Sequence, residues 1–207
     1  MESSAGFAGR AGSIGGAPDS GPGALQPGQL VDNFRLEEKL HQGGMATLWR
    51  VRRVDADGMD ADGTDADGPG ALPLIMKVPR IKGGEDPASI VGFEVERMIM
   101  PMLSGPHVPR FVAKGDFTRQ PYIVMEHIPG PSLKARFDQA PLALDEVVQI
   151  GTCVATALHD LHRQHLVHLD VKPSNFLLRS DGTAVAIDFG LSRHAHLPDL
   201  LEEEFKL

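Results

Sequence analysis

The chain has 207 residues, 42% of them hydrophobic, so it is long enough to bury a substantial core. Its formal net charge of −8, with no basic run, argues against a nucleic-acid-binding surface. The lone cysteine, Cys153, excludes an intrachain disulfide, and no apolar run approaches the length of a membrane span. No secretory signal is visible at the N-terminus, so the sequence predicts a cytoplasmic protein with no membrane partner.

Residues 1–29 are rich in Gly, Ala, Ser and Pro and have almost no periodic apolar pattern. Such a segment buries too little surface to offset its ordering entropy. The composition therefore predicts a disordered leader, with a linker or partner-binding role as the alternative.

Two strands are predicted at residues 34–40 and 47–53, with the sequence HQGGMA between them. The small residues Gly43 and Gly44 would let backbone N–H groups approach phosphates closely. Taken alone, this stretch is also compatible with a plain hairpin turn.

An acidic tract at residues 55–70 follows, built on a DADG repeat. Its Asp and Gly spacing resembles calcium loops but lacks the third early ligand and the distant glutamate of an EF-hand. We interpret it as a solvated insertion between two strands.

A β-rich run at residues 72–79 carries Lys77 among apolar neighbours, and a helix is predicted to follow it. Asp86 suits the N-cap and Pro87 the first helical position, while Pro101 should end or kink the helix. A lysine on a strand is often a solvated edge residue, which is the alternative for Lys77.

Two further strands are predicted at residues 111–117 and 122–125, and Pro129-Gly130-Pro131 marks a boundary. Residues 145–164 form a predicted helix with an apolar stripe. The members of this stripe are Val147, Ile150, Val154, Leu158 and Leu161. Three histidines lie near the C-terminal end of this helix: His159, His162 and His165. Because histidines at this end interact favourably with the helix dipole, we prefer this interpretation to a zinc site.

Residues 168–190 hold the groups that phosphoryl transfer from a metal-bound nucleotide requires. Asp170 can accept a proton, Lys172 can neutralise charge on the moving group, and Asn175 and Asp188 offer oxygen ligands for Mg²⁺. Two β-rich runs between Asn175 and Asp188 meet at Asp181-Gly182, a strong hairpin signal. The hairpin should bring Asn175 and Asp188 side by side.

The sequence around these residues resembles the catalytic loop and metal-binding motif of protein kinases: His168-Leu169-Asp170, Lys172-Pro173, Asn175 and Asp188-Phe189-Gly190. The lysine two residues after the aspartate, Lys172, resembles the pattern found in serine/threonine kinases. The resemblance implies an α+β, two-lobed fold, with a complete small β-rich lobe and hinge at residues 30–128. Residues 129–207 would form a partial, incomplete large lobe.

The resemblance also implies roles for individual residues and the cofactors ATP and Mg²⁺. Lys77 would bind the α- and β-phosphates and pair with Glu96, with Glu94 as the rival partner. The catalytic residues would be Asp170 and Lys172, and Mg²⁺ would be bound by Asn175 and Asp188. Nucleotide contacts would come from Leu40, Gly43 and Gly44 near the glycine-rich loop and from Glu126 and Ile128 in the hinge. The substrate would be a protein serine or threonine hydroxyl.

Two departures from the family pattern shape these expectations. Leu169 replaces the arginine that pairs with a phosphate on the activation loop, so we expect no strong dependence on loop phosphorylation. The sequence ends at Leu207, soon after Gly190, so the large lobe is expected to be truncated. The alternative function is therefore an inactive kinase fragment that at most binds nucleotide or a protein partner.

Overall fold

The computed structural model describes residues 25–54, 72–80 and 87–204. Most of the expected leader (residues 1–24), the acidic tract at 55–70 and the predicted N-cap Asp86 lie outside these residues.

The first half of the described chain forms a six-stranded antiparallel sheet in the order β1-β2-β3-β4-β6-β5. The strands are β1 (Leu30–Val31), β2 (Phe34–Gln42), β3 (Ala46–Arg53), β4 (Leu74–Pro79), β5 (Phe111–Lys114) and β6 (Ile123–Glu126). The five strands expected between residues 34 and 125, the lysine strand among them, all form. The fifth strand ends earlier than expected, at Lys114.

One face of this sheet carries its own apolar cluster. Alternate residues such as Phe34 and Leu36 on β2 and Trp49 and Val51 on β3 are buried there. This period of two explains why these segments form strands rather than helices.

Helix α1 (Pro87–Ile99) packs with the main core and continues into a single 3₁₀ turn, Met100–Met102. Pro101 lies in that turn, so the expected end or kink at this proline is confirmed. The buried face of α1 presents Phe93, Val95, Glu96 and Ile99.

The second half of the chain is richer in helix, which agrees with the expected α+β class. Its elements are α2 (Leu133–Phe137), α3 (Leu144–Arg163), β7 (Leu166–Val167), a 3₁₀ turn (Pro173–Asn175), β8 (Phe176–Leu178), β9 (Ala184–Ala186), β10 (Arg193–His194) and α4 (Leu200–Glu204). Among the described residues, no helix combines the length and apolar character required to cross a membrane.

Helix α3 buries only part of the expected apolar stripe. Ile150 and Leu161 lie in the main core, and Val154 and Leu158 pack against it. Val147 is 49% exposed, because it lies on the first turn of the helix, away from the core that the described residues form.

Candidate functional site

The hairpin of β8 and β9 brings the two predicted metal ligands to the same place. At its turn, Gly182 has a φ of 86°, and the Thr183 N–H donates to Asp181 Oδ1 over 2.8 Å. At its open end, the Ile187 N–H donates to Asn175 O over 2.9 Å. Asn175 and Asp188 therefore flank the open end of one short ladder.

The Asp170 carboxylate is held by its neighbours in the loop before this hairpin. Lys172 Nζ lies 2.6 Å from Asp170 Oδ2, and Asn175 Nδ2 donates to the same oxygen over 2.8 Å. Burial opposes ionisation, but these hydrogen bonds outweigh it and hold the pKa of Asp170 below its ordinary value. Asp170 is therefore a carboxylate at neutral pH and can accept a proton.

The buried His168 ring fixes the backbone beneath Asp170. Its Nδ1 accepts from the Asp170 N–H over 3.3 Å, so its Nε2 carries the ring hydrogen and donates to Ile187 O over 3.1 Å. The ring stacks on Phe176 and contacts Phe189. The histidine of the motif thus ties the catalytic loop to the end of the hairpin.

Lys77 reaches this site from the sheet. Its Nζ lies 2.5 Å from Glu96 Oε2 and 3.2 Å from Asp188 Oδ1. Burial alone would lower the pKa of Lys77, but the two carboxylates raise it above its ordinary value. Lys77 is therefore a permanent ammonium group directed at Asp188 and is not a solvated edge residue.

The other candidate partner of Lys77, Glu94, pairs with Arg97 instead. Both Glu94 carboxylate oxygens accept hydrogen bonds of 2.6 Å from the Arg97 guanidinium. The structure therefore selects Glu96 over Glu94 as the partner of Lys77. Its role in nucleotide binding stays a prediction.

Helix α1 packs closely against the segment that carries Asp188. The Phe189 N–H donates to the Glu96 carboxylate, and Phe189 is fully buried in the main core. A Cβ on Gly92 would meet Gly190 O at 3.3 Å, so the two backbones approach closely. Asp188 itself has a φ of 64°, a left-handed conformation that turns the chain at this point.

The loop between β2 and β3 is a tight turn that lies over the end of β4. The Gly43 N–H donates to Ala46 O over 2.9 Å, while Leu40 and Gly43 are half-buried and Gly44 is exposed. Arg80 Nη1 donates to Gly43 O over 2.8 Å, a contact that the sequence did not indicate. The arginine therefore fastens the loop to the lysine strand.

The segment after β6 forms a connection to the helical half. The Ile128 side chain is buried, and its N–H has no hydrogen-bond acceptor within the described residues. Glu126 accepts from both terminal nitrogens of Arg179, over 2.5 and 2.9 Å, and from the Arg110 N–H over 3.1 Å. Arg179 was missed because 53 residues separate it from Glu126.

The protein oxygens at this site fit Mg²⁺ held jointly with a nucleotide. Within the described ranges, no group of three or more His, Cys, Asp or Glu side chains is arranged to hold a metal ion. A nucleotide-bound Mg²⁺ requires only one or two protein carboxylates, because phosphates and water complete its shell. Asp188 and Asn175 suit this arrangement. In the part of the chain that the structure describes, the histidines His159, His162 and His165 form no group that could hold a metal ion.

Comparison with known proteins gives a consistent result. Residues 77–204 match the family model "Protein kinase domain". The chain is 33% identical over 171 residues to a probable serine/threonine-protein kinase PknB of Lactococcus lactis, and 30% identical over 172 residues to a probable serine/threonine-protein kinase PkwA of Thermomonospora curvata. It is 28% identical over 170 residues to the serine/threonine-protein kinase PknL of Mycobacterium tuberculosis.

The matched region is a part of each relative. The alignments cover 82% of this chain in all three cases, but only 25%, 21% and 39% of the three relatives, in the same order. The chain therefore spans less than half the length of each of these relatives.

Proposed function

Because this chain belongs to the protein kinase domain family, we propose that it transfers the γ-phosphate of ATP to a serine or threonine hydroxyl of a protein substrate. The motif resemblance that predicted this family is confirmed. The observation that carries the proposed activity is the convergence of Lys77, Asp170, Asn175 and Asp188 around the open end of one hairpin.

The nucleotide phosphates are bound from two sides in this proposal. Protein kinases generally use ATP with Mg²⁺, and the metal ion supplies charge neutralisation for the transferring phosphoryl group. Lys77, held by Glu96, would bind the α- and β-phosphates, and Asp188 and Asn175 would hold Mg²⁺. The loop that contains Gly43 and Gly44 would contact the phosphates.

The adenine is bound by the backbone that follows β6. The buried Ile128 offers its unused N–H as a donor, and the Glu126 carbonyl is the corresponding acceptor. The bidentate contact of Arg179 with the Glu126 side chain keeps this backbone in place. Leu40, half-buried on β2, would contact the adenine in this proposal.

Phosphoryl transfer requires removal of the proton from the acceptor hydroxyl. Asp170 is ionised and takes this proton in the proposed reaction. Lys172, which lies 2.6 Å from the Asp170 carboxylate, stabilises negative charge on the moving group. Asn175 orients Asp170 through a hydrogen bond to its carboxylate and another to its carbonyl.

Radiolabel transfer from [γ-³²P]ATP to myelin basic protein in the presence of Mg²⁺ tests the activity. We expect transfer by the wild type and its loss in Asp170→Ala. Asp145→Ala, which removes an exposed carboxylate in the first turn of α3, is the matched control and should retain transfer. Equal transfer by wild type and Asp170→Ala would remove Asp170 from the mechanism.

Mg-ATP binding separates the active kinase from the alternative, an inactive chain that binds nucleotide only. A rise in melting temperature with saturating Mg-ATP, without transfer to protein, would favour the alternative. No rise would contradict the proposed activity and nucleotide binding, and would leave only the version of the alternative in which the chain binds a protein partner.

We also infer a cytoplasmic location, on the basis of the lone Cys153 and the absence of a membrane-crossing helix among the described residues. Fractionation of cells that express the chain tests this inference, and recovery with the membranes would contradict it.

A further inference from the structure

The segment after Gly190 is paired with the strand that leads into the catalytic loop. Strands β10 and β7 pair antiparallel, with His194 opposite Leu166. The Ala195 N–H extends the pairing by donating to His165 O over 3.0 Å. The two segments therefore form a continuous ladder that ends just before His168.

Ser192 continues this connection with its side chain. Ser192 is 3% exposed, and its Oγ donates to His168 O over 2.9 Å. Among the described residues, no other donor reaches this carbonyl oxygen. The Ser192 N–H in turn donates to Phe189 O over 3.0 Å, so the serine joins the catalytic loop to the segment that carries Asp188.

The carbonyl that Ser192 binds lies at a sensitive point of the backbone. The next residue, Leu169, has a φ of 60°, a left-handed conformation that is unfavourable for a leucine. Asp170 follows directly, and its N–H is bound to the ring of His168. His168 is thus held by two hydrogen bonds, one at its carbonyl oxygen and one at its ring. Together they fix the orientation of the backbone at Leu169 and Asp170.

We propose that Ser192 is a positioning residue that holds the catalytic loop in its working conformation through the His168 carbonyl. The proposal rests on the proposed kinase function only for its effect on turnover. Its effect on the loop itself is independent of activity.

Hydrogen exchange of the 207-residue chain tests the effect on the loop. In Ser192→Ala, the His168 carbonyl loses its donor, and we expect roughly tenfold faster exchange in a peptide that covers residues 166–171. Exchange in the β8–β9 hairpin should not change. Ser192→Thr keeps the hydroxyl that binds the His168 carbonyl and should exchange like the wild type.

The possible results all decide the proposal. Faster exchange confined to the loop in Ser192→Ala, with rescue in Ser192→Thr, supports it. Unchanged loop exchange in Ser192→Ala would overturn it. Equally faster exchange throughout the chain would also overturn it, since that result indicates a purely structural serine.

Transfer kinetics provide the second readout. We expect Ser192→Ala to lower kcat roughly tenfold while the KM for ATP stays within about twofold, because the serine acts on Asp170 and not on the nucleotide site. A change in the KM for ATP alone would contradict positioning of Asp170. If the wild type shows no transfer, the proposed function fails, and the exchange measurement still decides the role of Ser192 in the loop.

Discussion

Lys77 Nζ lies 3.2 Å from Asp188 Oδ1, although 111 residues separate the two side chains in the sequence. This contact joins the sheet to the segment after the β8–β9 hairpin. The second partner of Lys77, Glu96, is 3% exposed and also accepts from the Phe189 N–H. One ammonium group therefore aligns a strand, a helix and the metal-binding segment, so that a change to any of the three side chains should affect the nucleotide site.

The first prediction concerns Glu96. Replacement by glutamine in Glu96→Gln keeps the shape but removes the charge that holds Lys77. We expect Mg-ATP to bind roughly tenfold more weakly, as measured by isothermal titration calorimetry. Glu94→Gln is the matched control, because Glu94 pairs with Arg97 outside the site, and its affinity should remain near that of the wild type. Equal losses in both variants would contradict the assigned roles.

The second prediction concerns two glycines in different surroundings. A Cβ on Gly130 would lie 1.6 Å from Leu178 O, a backbone atom that cannot move away without breaking the packing of the hairpin on the connection between the two halves. We expect Gly130→Ala to lower the free energy of unfolding by roughly 3 kcal/mol or more, as measured by urea denaturation.

Gly151 is the matched control for this substitution. It lies within α3, and a Cβ there would meet no atom within 4 Å. Gly151→Ala should raise the free energy of unfolding by about 0.5–1 kcal/mol, because alanine favours the helix. A neutral Gly130→Ala would show that the close approach to Leu178 is not present in solution. A destabilised Gly151→Ala would contradict the open surroundings of Gly151 on α3.

The third prediction concerns the dependence of stability on pH. Hydrogen bonds from Arg179 hold the pKa of Glu126 below its ordinary value of 4.5. A carboxylate with a lowered pKa in the folded state contributes stability that is present above its unfolded pKa and is lost as pH falls through its folded pKa. The wild type should therefore lose stability as the pH falls from about 5 towards 3.

Removal of Arg179 should reduce this loss. In Arg179→Met, Glu126 loses the largest cause of its lowered pKa, so we expect a flatter decline in the urea midpoint over the same pH range. Lys134→Met is the control, because the Lys134–Asp138 pair is largely exposed and contributes little. An identical decline in the wild type and Arg179→Met would contradict the role of this ion pair.

The fourth prediction concerns regulation by phosphorylation. Since Leu169 offers no charge to a phosphate, treatment with a broad-specificity protein phosphatase should leave the transfer rate within about twofold of the untreated protein. The rate is measured by label transfer to myelin basic protein before and after treatment. A loss of most of the activity would show that a phosphate elsewhere in the chain supports the catalytic loop.

Local patterns predicted much of this fold. The hairpin turn at Asp181-Gly182 and the alternating residues of β2 and β3 are properties of short segments, and the structure has them where the sequence indicated. Family spacing favoured Glu96 over Glu94, and the helix then places Glu96 on its buried face. These features depend on neighbours along the chain or on one motif at a time.

The contacts that support the site could not be predicted in this way. Arg80 on Gly43, Arg179 on Glu126 and Ser192 on His168 each join residues distant in sequence, and no periodic pattern marks such pairs. Strands β7 and β10 have two residues each, too few to show a period of two. Their pairing depends on the whole fold bringing residues 166 and 194 together.

We propose above that Asp188 and Asn175 hold Mg²⁺ together with a nucleotide that Lys77 binds. Calorimetric titration of ATP into the wild type and into Asp188→Asn, each with Mg²⁺ and with EDTA, tests it most directly. We predict that Mg²⁺ strengthens ATP binding to the wild type at least tenfold and has little effect in Asp188→Asn. If ATP binding depends equally on Mg²⁺ in both proteins, Asp188 does not hold the metal ion.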